Sequence, residues 1–137
     1  MVQGIIRSER LLQAYLLFMA VVLVPVALCY GINPAGVLPR FLDIKVEGVD
    51  QTHIFRAQMW LFLGASTFWA VAAFKPDWQL VATIWAIFFC FSLALGRVIS
   101  LIVDGPPSLL LDFYLAMEIS GGLLGLAVLA YVRKSAG

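Results

Sequence analysis

Four long runs of mostly apolar residues, at 11–30, 57–74, 78–103 and 108–132, leave this chain little choice of solvent. A helix that crosses the ~30 Å hydrocarbon of a bilayer needs about 20 such residues at ~1.5 Å each. The first run is uncharged and ends at Gly31-Ile32-Asn33-Pro34, where proline and a turn-forming asparagine stop a helix. The second stops at Lys75-Pro76-Asp77 and the third at Asp104-Gly105-Pro106-Pro107; the fourth runs into Arg133 and Lys134. The expected fold is an all-α membrane protein, a four-transmembrane-helix bundle, with residues 1–137 forming a single transmembrane domain.

Composition points the same way. Residues are 63% hydrophobic and 12% charged, with a mean hydropathy of +0.99. Soluble domains carry about 25% charged residues, and half that amount cannot cover a water-facing surface. The formal net charge of +1 gives no electrostatic footprint for nucleic acid. Cys29 and Cys90 lie in apolar runs at different expected depths, so no disulfide is expected between them. No Cys/His spacing suits a metal.

The first run could be mistaken for a cleaved leader, since Arg7 and Arg10 precede it. It is longer than the 7–15 apolar residues of such leaders, and no small-x-small site follows. Val26-Ala27-Leu28-Cys29 has Leu28 where a lipoprotein cleavage box needs a small residue, so the run is expected to stay as a helix. Arg7, Arg10, Lys75, Arg133 and Lys134 would flank one side, and Arg40, Lys45 and Arg56 the other. That bias places both termini in the cytoplasm, with Trp78 and Tyr131 at the cytoplasmic interface and Trp60 and Tyr30 at the outer one. The outer loop between the first two helices, residues 31–56, is the longest. Its apolar stretch 37–42 could lie on the membrane or fold over the bundle. The alternating stretch 43–47 has no strand to pair with and is expected to be irregular.

Charge inside the helices is the most informative feature, because an Arg or Asp at mid-bilayer costs about 2.5–3.5 kcal/mol on insertion scales. Arg97 lies about 10 Å below the outer end of the third helix, and Ser100 and Asp104, at i+3 and i+7, share its face. Glu118 lies roughly 15 Å into the fourth helix. A short loop makes these helices antiparallel neighbours, so an Arg97–Glu118 ion pair is expected. Gly121 and Gly125 follow Glu118 at GxxxG spacing, which allows close helix approach. His53, Arg56 and Gln58, with Asp50 and Thr52, mark the entrance of the second helix at the same level, and Asp112 that of the fourth. Together they suggest a polar pocket open to the outer side, with no comparable set in the cytoplasmic half. A lone histidine such as His53 is not a metal site, and Asp50 could simply cap its helix.

These residues carry a family resemblance. Phe55-Arg-Ala-Gln-Met-Trp-Leu-Phe-Leu-Gly64, Leu95-Gly-Arg-Val-Ile-Ser-Leu-Ile-Val-Asp-Gly-Pro-Pro107 and Glu118 resemble the domain-of-unknown-function 4345 family of small bacterial four-helix membrane proteins, itself distantly similar to DoxX-like proteins. The motif matches Arg56, Gly64, Gly96, Arg97, Ser100, Asp104 and Gly105. The resemblance implies a helical bundle in a bacterial inner membrane and no established activity.

Three functions compete. The first is a non-enzymatic bundle that binds a small amphipathic ligand, a lipid or a quinone, or serves as an accessory subunit of a membrane complex. Its buried polar cluster would be Arg97, Ser100, Asp104, Glu118, Arg56, Gln58 and His53. The second is a small proton-coupled transporter with Glu118 as its switching carboxylate, against which stand the neighbouring Arg97 and the missing inner relay. The third is an isomerase-like enzyme on a lipid substrate using His53, Asp50, Asp104 and Glu118. No nucleophile–base pair or nucleotide loop supports it, so no residue is assigned a catalytic role. No cofactor is evident beyond a quinone.

Overall fold

The computed structural model describes residues 2–136. Among these, five α-helices follow one another: α1 (Val2–Gly31), α2 (Pro34–Phe41), α3 (Val49–Ala73), α4 (Pro76–Val103) and α5 (Leu109–Ala136). The expectation of four spanning helices is therefore corrected. Only three, Arg7–Gly31 of α1, Pro76–Val103 and Leu109–Ser135 of α5, are long and apolar enough to cross a membrane. They mark the chain as an integral membrane protein.

Length is not what separates α3 from the others, since its 25 residues reach about 37 Å at the usual rise. The helix starts at Val49, not near residue 57, and so takes in Asp50, His53 and Arg56 in addition to Gln58. Gly64, Ser66 and Thr67 dilute its remaining apolar stretch. The outer loop is also more ordered than the sequence suggests. Pro34 has the fixed φ suited to a first helical position, and Asn33 caps α2 by accepting a bond from the Gly36 amide at 3.3 Å. Leu38, fully buried, pins α2 against the bundle. Residues 43–47 form no regular element, with Asp43 in the left-handed region at φ 54°.

Helix direction follows from cross-helix contacts. Tyr30 at the end of α1 packs on Phe55 and Phe62 of α3, and the Ser66 hydroxyl donates to the Ala20 carbonyl at 2.7 Å. So α3 returns antiparallel to α1. After a tight turn at Lys75, Gln79 donates from Nε2 to the Ala73 carbonyl at 2.9 Å, and α4 and α5 make a second antiparallel pair. Arg7 sits 5.5 Å from the centre of the Tyr131 ring, so α1 begins where α5 ends.

The core is built of small residues and aromatics. Ala20, Ala27, Ala65, Ala72, Ala82, Ala86 and Ala94 are buried between helices, where small side chains let backbones approach. Trp69, fully buried, meets Phe89 edge to face at 5.2 Å. Tyr30, at the C-terminal end of α1, is buried in this core. The outside stays apolar, with Phe88, Ile102 and Leu109 more than half exposed, as suits a lipid solvent.

The paired glycines of α5 face inward. A methyl group at Gly125 would lie 2.5 Å from both Ile87 Cγ1 and the Tyr15 hydroxyl. That hydroxyl is itself held by a 3.1 Å bond to the Gly121 carbonyl, so it cannot yield without breaking the bond. Gly64, by contrast, has open space. Gly125→Ala is expected to destabilise the fold by about 1–3 kcal/mol, as overpacking does. Gly64→Ala should be neutral or slightly stabilising, since alanine is the better helix former. Thermal unfolding of both variants in one detergent checks the contrast.

Candidate functional site

Two charged residues on facing helices meet inside the bundle. Arg97 Nε on α4 donates to Glu118 on α5, 2.9 Å from each carboxylate oxygen. The side chains are 20% and 12% exposed, so the pair is shielded but not sealed. The Tyr114 ring, one turn before Glu118, lies 5.6 Å from the guanidinium carbon, within cation–π range. Tyr30 of α1 also stands beside the guanidinium.

The pair separates two cavities of different character. On the Glu118 side is an interior cavity of about 60 Å³ reached by α1, α3, α4 and α5. Met19, Phe62, Trp69, Cys90 and Met117 contribute to its wall, and among the described residues Glu118 is the wall's only charged one. Trp69 Nε1 is buried with no acceptor among the described residues. On the Arg97 side, a cleft of about 80 Å³ opens between the end of α4 and the start of α5, lined by Arg97, Ser100, Asp112 and apolar neighbours.

Of the two charged residues, Arg97 is the one that lines the cleft. A guanidinium carries five N–H donors, and Glu118 engages only Nε. No hydrogen bond from either Nη group is formed within the described residues. The Tyr30 hydroxyl beside the guanidinium can accept from at most two of the four Nη donors; the others stand at the wall of a small cleft, and unmade hydrogen bonds of a shielded charged group are costly. An acceptor oxygen placed in the cleft would meet them. A phosphate, ester or quinone carbonyl supplies such an oxygen.

The structure distributes the sequence candidates unevenly. Ser100 lines the cleft, but its hydroxyl donates to Asp104 Oδ2 at 2.7 Å. Asp104 is exposed and caps α4 through its amide, 2.7 Å from the Ser100 carbonyl. The left-handed Gly105, at φ 98°, then turns the chain toward α5. His53 and Arg56 are exposed and Gln58 is half-buried on α3. None of the three lines the cleft or the interior cavity. Tyr114 was not singled out, although its i−4 spacing from Glu118 puts it on the same helix face. Cys29 and Cys90 are free thiols, and no group of three metal-ligating side chains occurs among the described residues.

The family described as "Domain of unknown function (DUF4345)" matches residues 11–129. No curated protein and no solved structure matches the chain. The chain belongs to the DUF4345 family.

Removing one partner of a buried pair strands the other charge and costs about 3–5 kcal/mol. The residual exposure here puts Glu118→Leu and Arg97→Leu near the lower end, at about 3 kcal/mol each. The double replacement Arg97→Leu/Glu118→Leu should cost far less than the sum, because no unpaired charge remains. A double-mutant cycle on thermal unfolding in micelles measures this. Additive losses would mean that the two side chains do not interact.

Proposed function

We propose that this DUF4345 protein is a non-enzymatic binder of a small amphipathic molecule, whose acceptor-bearing head docks on Arg97 in the cleft between α4 and α5. The observation that carries this reading is an arginine fixed in place through Nε whose four Nη donors exceed what the neighbouring Tyr30 hydroxyl can accept. A side chain positioned by one partner loses little further freedom when it binds a second. The apolar side chains that complete the cleft, Leu101, Leu111 and Leu115, favour a ligand whose remainder is hydrocarbon.

A cleft of about 80 Å³ is far smaller than the ~300–1,000 Å³ of sites that enclose a whole ligand. It suits a head group, with the tail left along the lipid-facing helix surface. A quinone carbonyl and a lipid ester or phosphate present the same acceptor chemistry to Arg97. Ser100 and Asp112 border the head, and Glu118 holds the arginine from behind. An accessory role in a membrane complex would use the same surface, with a partner's backbone or carboxylate as the acceptor.

The compartment we favour is the bacterial inner membrane with both termini in the cytoplasm, the less apolar α3 carrying the chain back alongside α1 between the first and second of the three apolar helices. Support comes from the basic residues Arg7, Arg10, Lys75, Arg133 and Lys134, gathered at the end where α1 begins and α5 finishes.

Native mass spectrometry of gently extracted protein tests the reading. The wild type should carry a discrete extra mass, whose value separates a quinone from a lipid or a partner chain. Arg97→Lys keeps the charge beside Glu118 but removes the planar fork. It should lose most of the bound mass while its unfolding temperature changes little. A wild type with no adduct, or an adduct retained in full by the Arg97→Leu/Glu118→Leu variant, would contradict the proposal and leave the pair a structural lock.

A further inference from the structure

A larger groove lies between α4 and α5 at the opposite end of the same helix pair. It measures about 620 Å³ and is lined by Ile84, Ile87 and Phe91 on one side and Leu126, Leu129 and Arg133 on the other, with Ala130 at its exposed edge. Both flanking helices are apolar enough to cross a membrane. Seven residues separate Ile84 from Phe91, so the groove runs about 10 Å along the helix axis. One leaflet of hydrocarbon is about 15 Å deep, half of the ~30 Å core. An apolar channel of that length starting at an arginine has the dimensions of a lipid chain hanging from its headgroup.

The charge around the groove selects the headgroup. Near the arginine end of the bundle lie Arg7, Arg10, Lys75, Arg133 and Lys134 against Glu9 and Asp77. At the other end, Arg40, Lys45 and Arg56 face Asp43, Glu47, Asp50, Asp104 and Asp112. One rim is thus net positive and the other net negative. Lys75 and Arg7 are further held over the Trp78 and Tyr131 rings, at 4.4 and 5.5 Å, aromatics of the kind that sit at headgroup level.

We infer that the groove between Ile84–Phe91 and Leu126–Arg133 is a binding site for an anionic glycerophospholipid, one acyl chain lying between α4 and α5 and the phosphate resting on Arg133. The geometry asks nothing of the Arg97 cleft, so this site stands independently of the function proposed above.

The test uses the full chain reconstituted in vesicles of equal parts phosphatidylglycerol and phosphatidylcholine with identical acyl chains, then extracted for native mass spectrometry. Wild type should retain phosphatidylglycerol over phosphatidylcholine. A basic residue near an anionic surface contributes about one kcal/mol, so Arg133→Gln should lower that preference roughly fivefold. Ala130→Trp, which fills the exposed edge of the groove without removing charge, should lose both lipids. Lys134→Gln, outside the groove lining, should have a smaller effect than Arg133→Gln. Equal retention of the two lipids by wild type would overturn the inference. So would Arg133→Gln and Lys134→Gln acting alike while Ala130→Trp stays silent, which would indicate surface charge without a groove site.

Discussion

A guanidinium and a carboxylate set among lipid-soluble helices must find each other, and the α4–α5 half of the bundle is organised around that requirement. Either charge alone at mid-bilayer costs about 2.5–3.5 kcal/mol to insert; paired, they neutralise one another. The 2.9 Å contact of Arg97 with Glu118 also fixes the register of α4 against α5. One and two turns away, Phe91 lies over Gly122 and Ile87 over Gly125, where a side chain larger than hydrogen would push the helices apart. Charge pairing and close packing thus specify the same alignment, and neither would hold with the helices slipped by a turn.

That alignment has consequences for binding. With Nε held by Glu118, Arg97 also borders the opening between the helix ends, where Ser100 and Asp112 stand. Behind the carboxylate, Phe62, Trp69 and Met117 supply an apolar wall, which keeps water from competing for the pair and strengthens it. A structural lock needs only the pair itself. A binding site needs donors left over and space to reach them, and both are present on the arginine side.

The pair was legible in the sequence because burial cost and helical spacing constrain it, and a short Asp104–Ser108 connection makes the two helices neighbours. The number of spanning helices was not. Residues 57–74 read as a span when taken alone, whereas α3 begins eight residues earlier at Val49 and carries Asp50, His53 and Arg56 within it. The same continuation gives His53 and Arg56 a helical phase that residue type does not reveal, and neither they nor Gln58 line the cleft or the interior cavity. The short α2 escaped notice because Pro34 reads as the stop of the first helix. In fact Pro34 occupies the one helical turn where a missing amide is harmless, and Asn33 supplies the cap. The interior cavity had no sequence signal at all, since its wall draws single residues from four helices whose relative rotations only packing decides. Tyr114 could have been found, one turn from Glu118 on an already assigned face.

The pair itself can be observed in a bilayer. Solid-state NMR of protein labelled with ¹⁵N-arginine and ¹³C-glutamate, reconstituted in lipid, measures the dipolar coupling between Arg97 Nε and the Glu118 carboxylate carbon. With Nε 2.9 Å from both oxygens, a strong coupling through that nitrogen is predicted, one that disappears in Glu118→Gln. Absence of that coupling in folded wild-type protein would show that α4 and α5 are not joined this way, and the register, the cleft and the seat proposed for the ligand would fall together.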